Sequence, residues 1–148
     1  MKIGASAVIG NHDYDLLDFL GYVPPLESPA EMKPSKRTKD GQFVIGSKEE
    51  IAMSFDREAA EWMLKCPYIL KVGDVGGEEL VAVHAGLLPG TELEKQDPWG
   101  VINMRNIYEN KPIKKTDKGH AWAEEWNESQ KHLPKSTTVI YGHDARRV

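Results

Sequence analysis

At 148 residues the chain has the length of one domain and room for a single core. Its formal charge of -4 gives no general attraction to nucleic acid or to an anionic membrane, and its apolar (40%) and charged (28%) fractions are ordinary for a soluble globular protein. The apolar runs fall far short of the roughly 20 residues that span a bilayer, and residues 1–13 lack the apolar core of a signal peptide. A cytoplasmic protein is expected. Cys66 is the single cysteine, so an internal disulfide and a cysteine-built zinc cluster are both excluded.

The chain opens with Ala7-Val8-Ile9, an apolar run that stops at Gly10 and delivers Asn11, His12 and Asp13. The pattern predicts a strand ending in a turn. Asp13 is placed to cap a short helix with Leu16, Leu17 and Leu20 on one side and Gly21 as its left-handed stop. Residues 23–46 hold Pro24, Pro25, Pro29 and Pro34 with Lys33, Lys36, Arg37 and Lys39, and show no periodicity. They read as a surface loop, either a solvated insertion or a basic lip for a polyanionic substrate.

Ser47 to Glu50 has the form of a capping box. A second helix start follows at Ser54, and Phe55, Ala59, Trp62, Met63 and Cys66 form a helical stripe, closed by Pro67, that is expected in the core. Residues 68–72 and 79–83 read as two strands of a hairpin joined by Gly73-Asp74-Val75-Gly76-Gly77. That glycine loop lacks the Lys-Ser or Lys-Thr of a nucleotide-binding loop. Residues 87–98 are a loop, and 99–107 are left as either a short helix or an extended segment. Residues 121–132 predict a helix whose Trp122 and Trp126 pack inward, ended by Pro134, and residues 137–141 predict a last strand.

Three strand ends share one arrangement: Gly10-Asn11-His12-Asp13, His84-Ala85-Gly86 and Gly142-His143-Asp144. A single histidine beside a glycine is ordinarily structural, but a set of three points to one site, because ligands gather outside the carboxyl ends of strands in open α/β sheets. Asn11, His84 and His143 would supply an amide oxygen and two imidazole nitrogens. Such donors suit zinc, manganese or iron. His120 and His132 flank the helix at 121–132 and are not ligand candidates.

These three motifs, in this order, resemble those of the calcineurin-like metallophosphoesterases. Val83-His84-Ala85-Gly86-Leu87, Glu94-Lys95-Gln96-Asp97-Pro98-Trp99, Asn103-Met104-Arg105 and Tyr141-Gly142-His143-Asp144-Ala145 look closest to the branch of phosphoprotein phosphatases and symmetrical diadenosine tetraphosphatases, in particular to its fungal-type polyphosphatase members. The resemblance implies an α/β fold, part of a two-sheet β-sandwich flanked by helices. It also implies hydrolysis of phosphoanhydride or phosphomonoester bonds at two divalent ions, with polyphosphate or a dinucleoside polyphosphate favoured and a phosphoprotein as the alternative. By resemblance Asn11, His84 and His143 are metal ligands, His12 is the proton donor to the leaving oxygen, and Arg105 grips phosphate; Arg146 and Arg147 line the same rim or face solvent.

The family's Gly-Asp-x-His motif and its following Gly-Asp motif, which carry the other metal and the bridging carboxylate, are not in this sequence. Residues 1–148 are accordingly expected to be a central and C-terminal part of a phosphoesterase domain, holding at most one metal half-site and inactive by itself. A preceding segment would also be where targeting, for instance to a vacuole, is encoded. A non-catalytic metal- or phosphate-binding protein is the alternative from another class.

Overall fold

Gly76 and Gly77, both at positive φ (64° and 93°), close a two-residue turn between β1 (Ile69–Val75) and β2 (Glu78–Val83). Two left-handed residues in succession match the right-handed twist of a hairpin, and glycine adopts that conformation without a Cβ clash. The strands therefore run further than the glycine content suggested: Gly73, Asp74 and Val75 belong to β1, with the register slipping between Lys71 and Gly73.

The computed structural model describes residues 5–24, 26 and 48–144. The expected loop at 23–46, with its basic residues, lies almost wholly outside the described residues, as do Ser47, Arg146 and Arg147. The chain divides into two units: Met1–Asn11 with Cys66–Val148, and His12–Lys65. Among the described residues no helix is long and apolar enough to cross a membrane.

In the first unit, β2 pairs antiparallel with β1 and parallel with β6 (Thr137–Ile140), giving the order β1-β2-β6. A second sheet has the order β4-β3-β5, from β3 (Asn106–Tyr108), β4 (Lys111–Ile113) and β5 (His120–Ala121). With the helices this makes a mixed α/β architecture carrying two small sheets, as expected. Val81, Leu87, Val101, Ile102, Met104 and Trp122 are among the buried side chains of this unit.

The segment left open at 99–107 contains both a helix and a strand. Asp97 accepts hydrogen bonds from the N–H groups of Trp99 and Gly100 and so caps α4 (Pro98–Asn103), with Pro98 in the first turn where it needs no partner. Met104 then turns the chain into β3. Further on, α5 (Trp122–Gln130) buries Trp122 and Trp126 as the spacing predicted. It also fixes β6: Trp126 Nε1 donates to Thr137 O (3.1 Å) and Thr137 N–H donates to Gln130 Oε1 (2.9 Å).

The expected first strand does not form. Ile9 N–H donates to Pro67 O (3.1 Å), and proline has no N–H to return, so residues 7–9 stay extended without a ladder.

The second unit begins within α1 (Asn11–Phe19), which starts two residues before the expected cap at Asp13. It ends as expected: Tyr22 N–H donates to Leu17 O, Gly21 N–H to Asp18 O, and Gly21 has φ 76°. Ser54 ends α2 (Lys48–Ser54) rather than starting a helix, its hydroxyl donating to Ile51 O. The cap of α3 (Arg57–Met63) is Asp56, which accepts from Ala59 N–H at 2.7 Å. Of the expected stripe, Phe55, Ala59, Met63 and Cys66 are half-buried, but Trp62 is 57% exposed and Ala60 is the fully buried residue of α3.

Candidate metal centre

Parallel pairing places two of the three motifs side by side. Val81 is opposite Val139 and Ala82 opposite Ile140, so continuing the same offset sets His84 beside Gly142. Gly142 N–H indeed donates to His84 O at 3.0 Å. The third motif arrives at the same end because β1 is antiparallel to β2: Ile69, the start of β1, faces Val83, the end of β2. The tether from Ile9 to Pro67 therefore delivers Gly10 and Asn11 to the ends of β2 and β6.

Asn11, His84 and His143 converge there. His84 Nε2 is 2.9 Å from Asn11 Oδ1 and 3.1 Å from His143 Nδ1, and the imidazole rings meet edge to face with centroids 5.0 Å apart. Asn11 is buried. Three atoms with lone pairs around one point compete for few protons, because a single N–H on His84 Nε2 cannot serve both neighbours well. A cation would satisfy all three. Metal–ligand bonds of about 2.1 Å put adjacent donors of an octahedron about 3.0 Å apart, and the separations of 2.9 and 3.1 Å match that edge. The donor set thus fits a divalent ion. Among the described residues there is no group of three His, Cys, Asp or Glu side chains arranged to hold one, so the cluster depends on its asparagine.

His143 sits at φ 61°, left-handed for a residue with a Cβ, and Asp144 N–H donates back to Gly142 O at 2.6 Å. This is a γ-turn centred on a ligand candidate. Such a conformation costs on the order of 1–3 kcal/mol, and strain of this kind gathers at functional sites. Burial, then His84, then Arg105 hold the His143 imidazole well below its usual range, at about 4; the Asn103 backbone and the Asp144 carboxylate oppose the fall. His143 is therefore neutral near pH 7, the form able to offer a lone pair. Its Nε2 is buried and has no hydrogen-bond partner among the described residues.

The loop after His84 is held by α4: the N–H groups of Ala85 and Gly86 both donate to Val101 O (2.9 and 3.3 Å). Gly86 lies on Trp122 so closely that a Cβ there would meet the indole at 2.5–2.9 Å. Below it, buried Gln96 accepts from Leu88 N–H and donates to Leu88 O and Thr91 O, all at 2.9 Å.

Arg105 is brought beside His143 through Asp144: its Nε lies 3.7 Å from Asp144 Oδ1. Asp144 is the member of this group that sequence reasoning passed over, although it stands within the quoted Gly-His-Asp string. His12 is the first residue of the second unit, and its ring is exposed. His120 lies at the edge of the second sheet in β5 and His132 past the end of α5, both exposed and outside the cluster.

No protein-family model and no curated protein matches the chain. Among solved structures, the chain is similar to the crystal structure of a putative diadenosine tetraphosphatase, at 27% identity and a TM-score of 0.67. The likeness covers 97% of this chain and 52% of that one, so the chain spans about half the length of its neighbour. Together with the architecture, it supports a metallophosphoesterase-like fold.

Proposed function

We propose that the chain carries one metal half-site of a metal-dependent phosphoesterase acting on phosphoanhydride or phosphomonoester bonds, with polyphosphate or a dinucleoside polyphosphate as the favoured substrate. The observation that carries this reading is the convergence of Asn11, His84 and His143 beside the ends of β2 and β6. The likeness to a diadenosine tetraphosphatase supports the substrate class.

In this reading Asn11, His84 and His143 hold manganese, zinc or iron through neutral donors. The ion, when bound, polarises a phosphoryl oxygen and lowers the pKa of water. Arg105 binds two phosphoryl oxygens with its planar fork and offsets charge that develops on them. His12 gives a proton to the departing oxygen. Because the three ligands carry no charge, an anion must complete the shell, and in the resembling family that anion belongs to a motif this sequence does not contain. Turnover by these 148 residues is accordingly expected to be absent or very low.

Titration calorimetry with manganese is the first test. About one site per chain is expected, and two tight sites, or binding that survives His84→Ala with His143→Ala, would overturn the half-site. Assays with polyphosphate, diadenosine tetraphosphate and a phosphopeptide then rank the substrates, in this chain and in a longer one bearing the two absent motifs. Preference for the phosphopeptide would favour a serine/threonine phosphatase. A second reading, a non-catalytic metal- or phosphate-binding remnant, would be established by metal binding with no turnover in either chain.

A further inference from the structure

The backbone of Arg105 is fixed from both sides. Its N–H donates to Ile113 O (2.9 Å), at the end of β4, and its carbonyl accepts from Trp122 N–H (3.2 Å) at the start of α5. Only the side chain remains to be placed. Its Nε lies 3.7 Å from Asp144 Oδ1, too far for a hydrogen bond but within ion-pair range. The Asp144 side chain is only 12% exposed and that of Arg105 is 36% exposed, so the anion is the inner member of the pair. The γ-turn at His143 in turn aims Asp144, whose N–H is tied to Gly142 O.

From this geometry we infer that Asp144 is the positioning residue for Arg105. Its carboxylate faces the Nε side of the guanidinium and leaves the two Nη groups for the paired oxygens of a phosphoryl group arriving at the Asn11–His84–His143 cluster. The choice of ligand rests on the phosphoesterase reading above, whereas the ion pair does not. Electrostatics supplies the reason for such a residue. A guanidinium close to a bound dication is repelled, and a long side chain gains rotamer entropy by turning out to water. A fixed negative charge between strand end and arginine offsets both tendencies. It also makes the Arg105 contact conditional on the same turn that presents His143.

Two measurements on the whole chain test the inference. The first is the Nε–H resonance of Arg105 in 15N-labelled protein, assigned by its loss in Arg105→Ala. Its chemical shift, which reports the charge beside Nε, should be alike in the parent and in Asp144→Glu and should move in Asp144→Asn. The second is the affinity for inorganic phosphate at saturating manganese, in the parent, Arg105→Ala, Asp144→Asn and the double variant. Asp144→Asn should weaken phosphate by about three- to tenfold, as expected for a charged contact of this size. The double variant should be no weaker than Arg105→Ala, with manganese stoichiometry unchanged throughout. Additive losses, or an Asp144→Asn variant that keeps both the resonance and the affinity, would overturn the positioning role. Loss of manganese binding in Asp144→Asn irrespective of Arg105 would make Asp144 a metal ligand instead. If Arg105→Ala leaves phosphate affinity unchanged, the assignment of Arg105 in the phosphoesterase reading fails; an Nε–H shift that moves in Asp144→Asn would then leave an ion pair with no part in phosphate binding.

Discussion

His84 Nε2 stands 2.9 Å from Asn11 Oδ1 although 73 residues separate the two in sequence. The contact exists because β1 reverses direction against β2 and because Ile9 is tied to Pro67 at the start of that reversal. A hydrogen bond of this kind contributes about 1 kcal/mol to folding, too little to explain a third lone-pair atom, His143 Nδ1, at 3.1 Å from the same nitrogen.

Manganese should therefore raise the thermal midpoint of the parent protein, since a ligand that binds only the folded state stabilises it by about 2.7 kcal/mol at a hundred times its dissociation constant. Asn11→Leu keeps the side-chain volume and removes the oxygen. We expect the manganese-induced shift to shrink to near zero in this variant. A full shift in Asn11→Leu, followed by scanning fluorimetry, would exclude the asparagine as a ligand.

The depressed pKa of His143 has a defined consequence for the metal-free protein. Between about 4 and 6.5 the unfolded chain takes up a proton that the folded ring refuses, so folding stability declines as pH falls through that window and the effect levels off below it. Chelator-treated parent and His143→Gln should thus differ in the pH slope of urea unfolding between pH 4 and 6.5, the parent being steeper. Parallel slopes would show that the ring takes up its proton equally in both states.

Gly86→Ala forces a methyl into the Trp122 indole, where 2.5 Å is the nearest approach. Trp122 is buried and stacked edge to face on Tyr141, with centroids 4.7 Å apart, so it has little room to yield. Overpacking of this kind costs about 1–3 kcal/mol. Chemical denaturation should show it, with manganese affinity falling as well because His84 is two residues away; an unaltered midpoint would mean that the His84 loop does not rest on Trp122.

Gln96→Ala leaves Leu88 N–H, Leu88 O and Thr91 O without the side chain that links them. Losing a buried partner of this type costs about 1–3 kcal/mol. Increased hydrogen exchange confined to residues 88–96 is the expected signature, and uniform protection across that loop in the variant would count against the linking role.

What the sequence determined by itself is chemical and local. The donor types of the Asn-His and Gly-His strings are read from sequence alone, while the Gly21 stop and the inward Trp122 and Trp126 pair, which depend on short spacing, are where their patterns placed them. The tertiary structure decided what depends on long-range pairing. Ala7-Val8-Ile9 reads as a strand, yet a strand requires a neighbour that returns hydrogen bonds, and Pro67 cannot. Helical periodicity gave Trp62 to the core, but α3 buries Ala60 and leaves Trp62 57% exposed, because what a helix packs against is decided by its tertiary neighbours. The same dependence explains Asp144. In sequence it is an acid after a histidine, and only the turn at His143 and the fixing of Arg105 between Ile113 and Trp122 make it the inner half of an ion pair. Composition supplies the donors. The offset between β2 and β6, set by hydrogen bonds between strands that are 54 residues apart at their nearest ends (Val83 to Thr137), decides that those donors share one point.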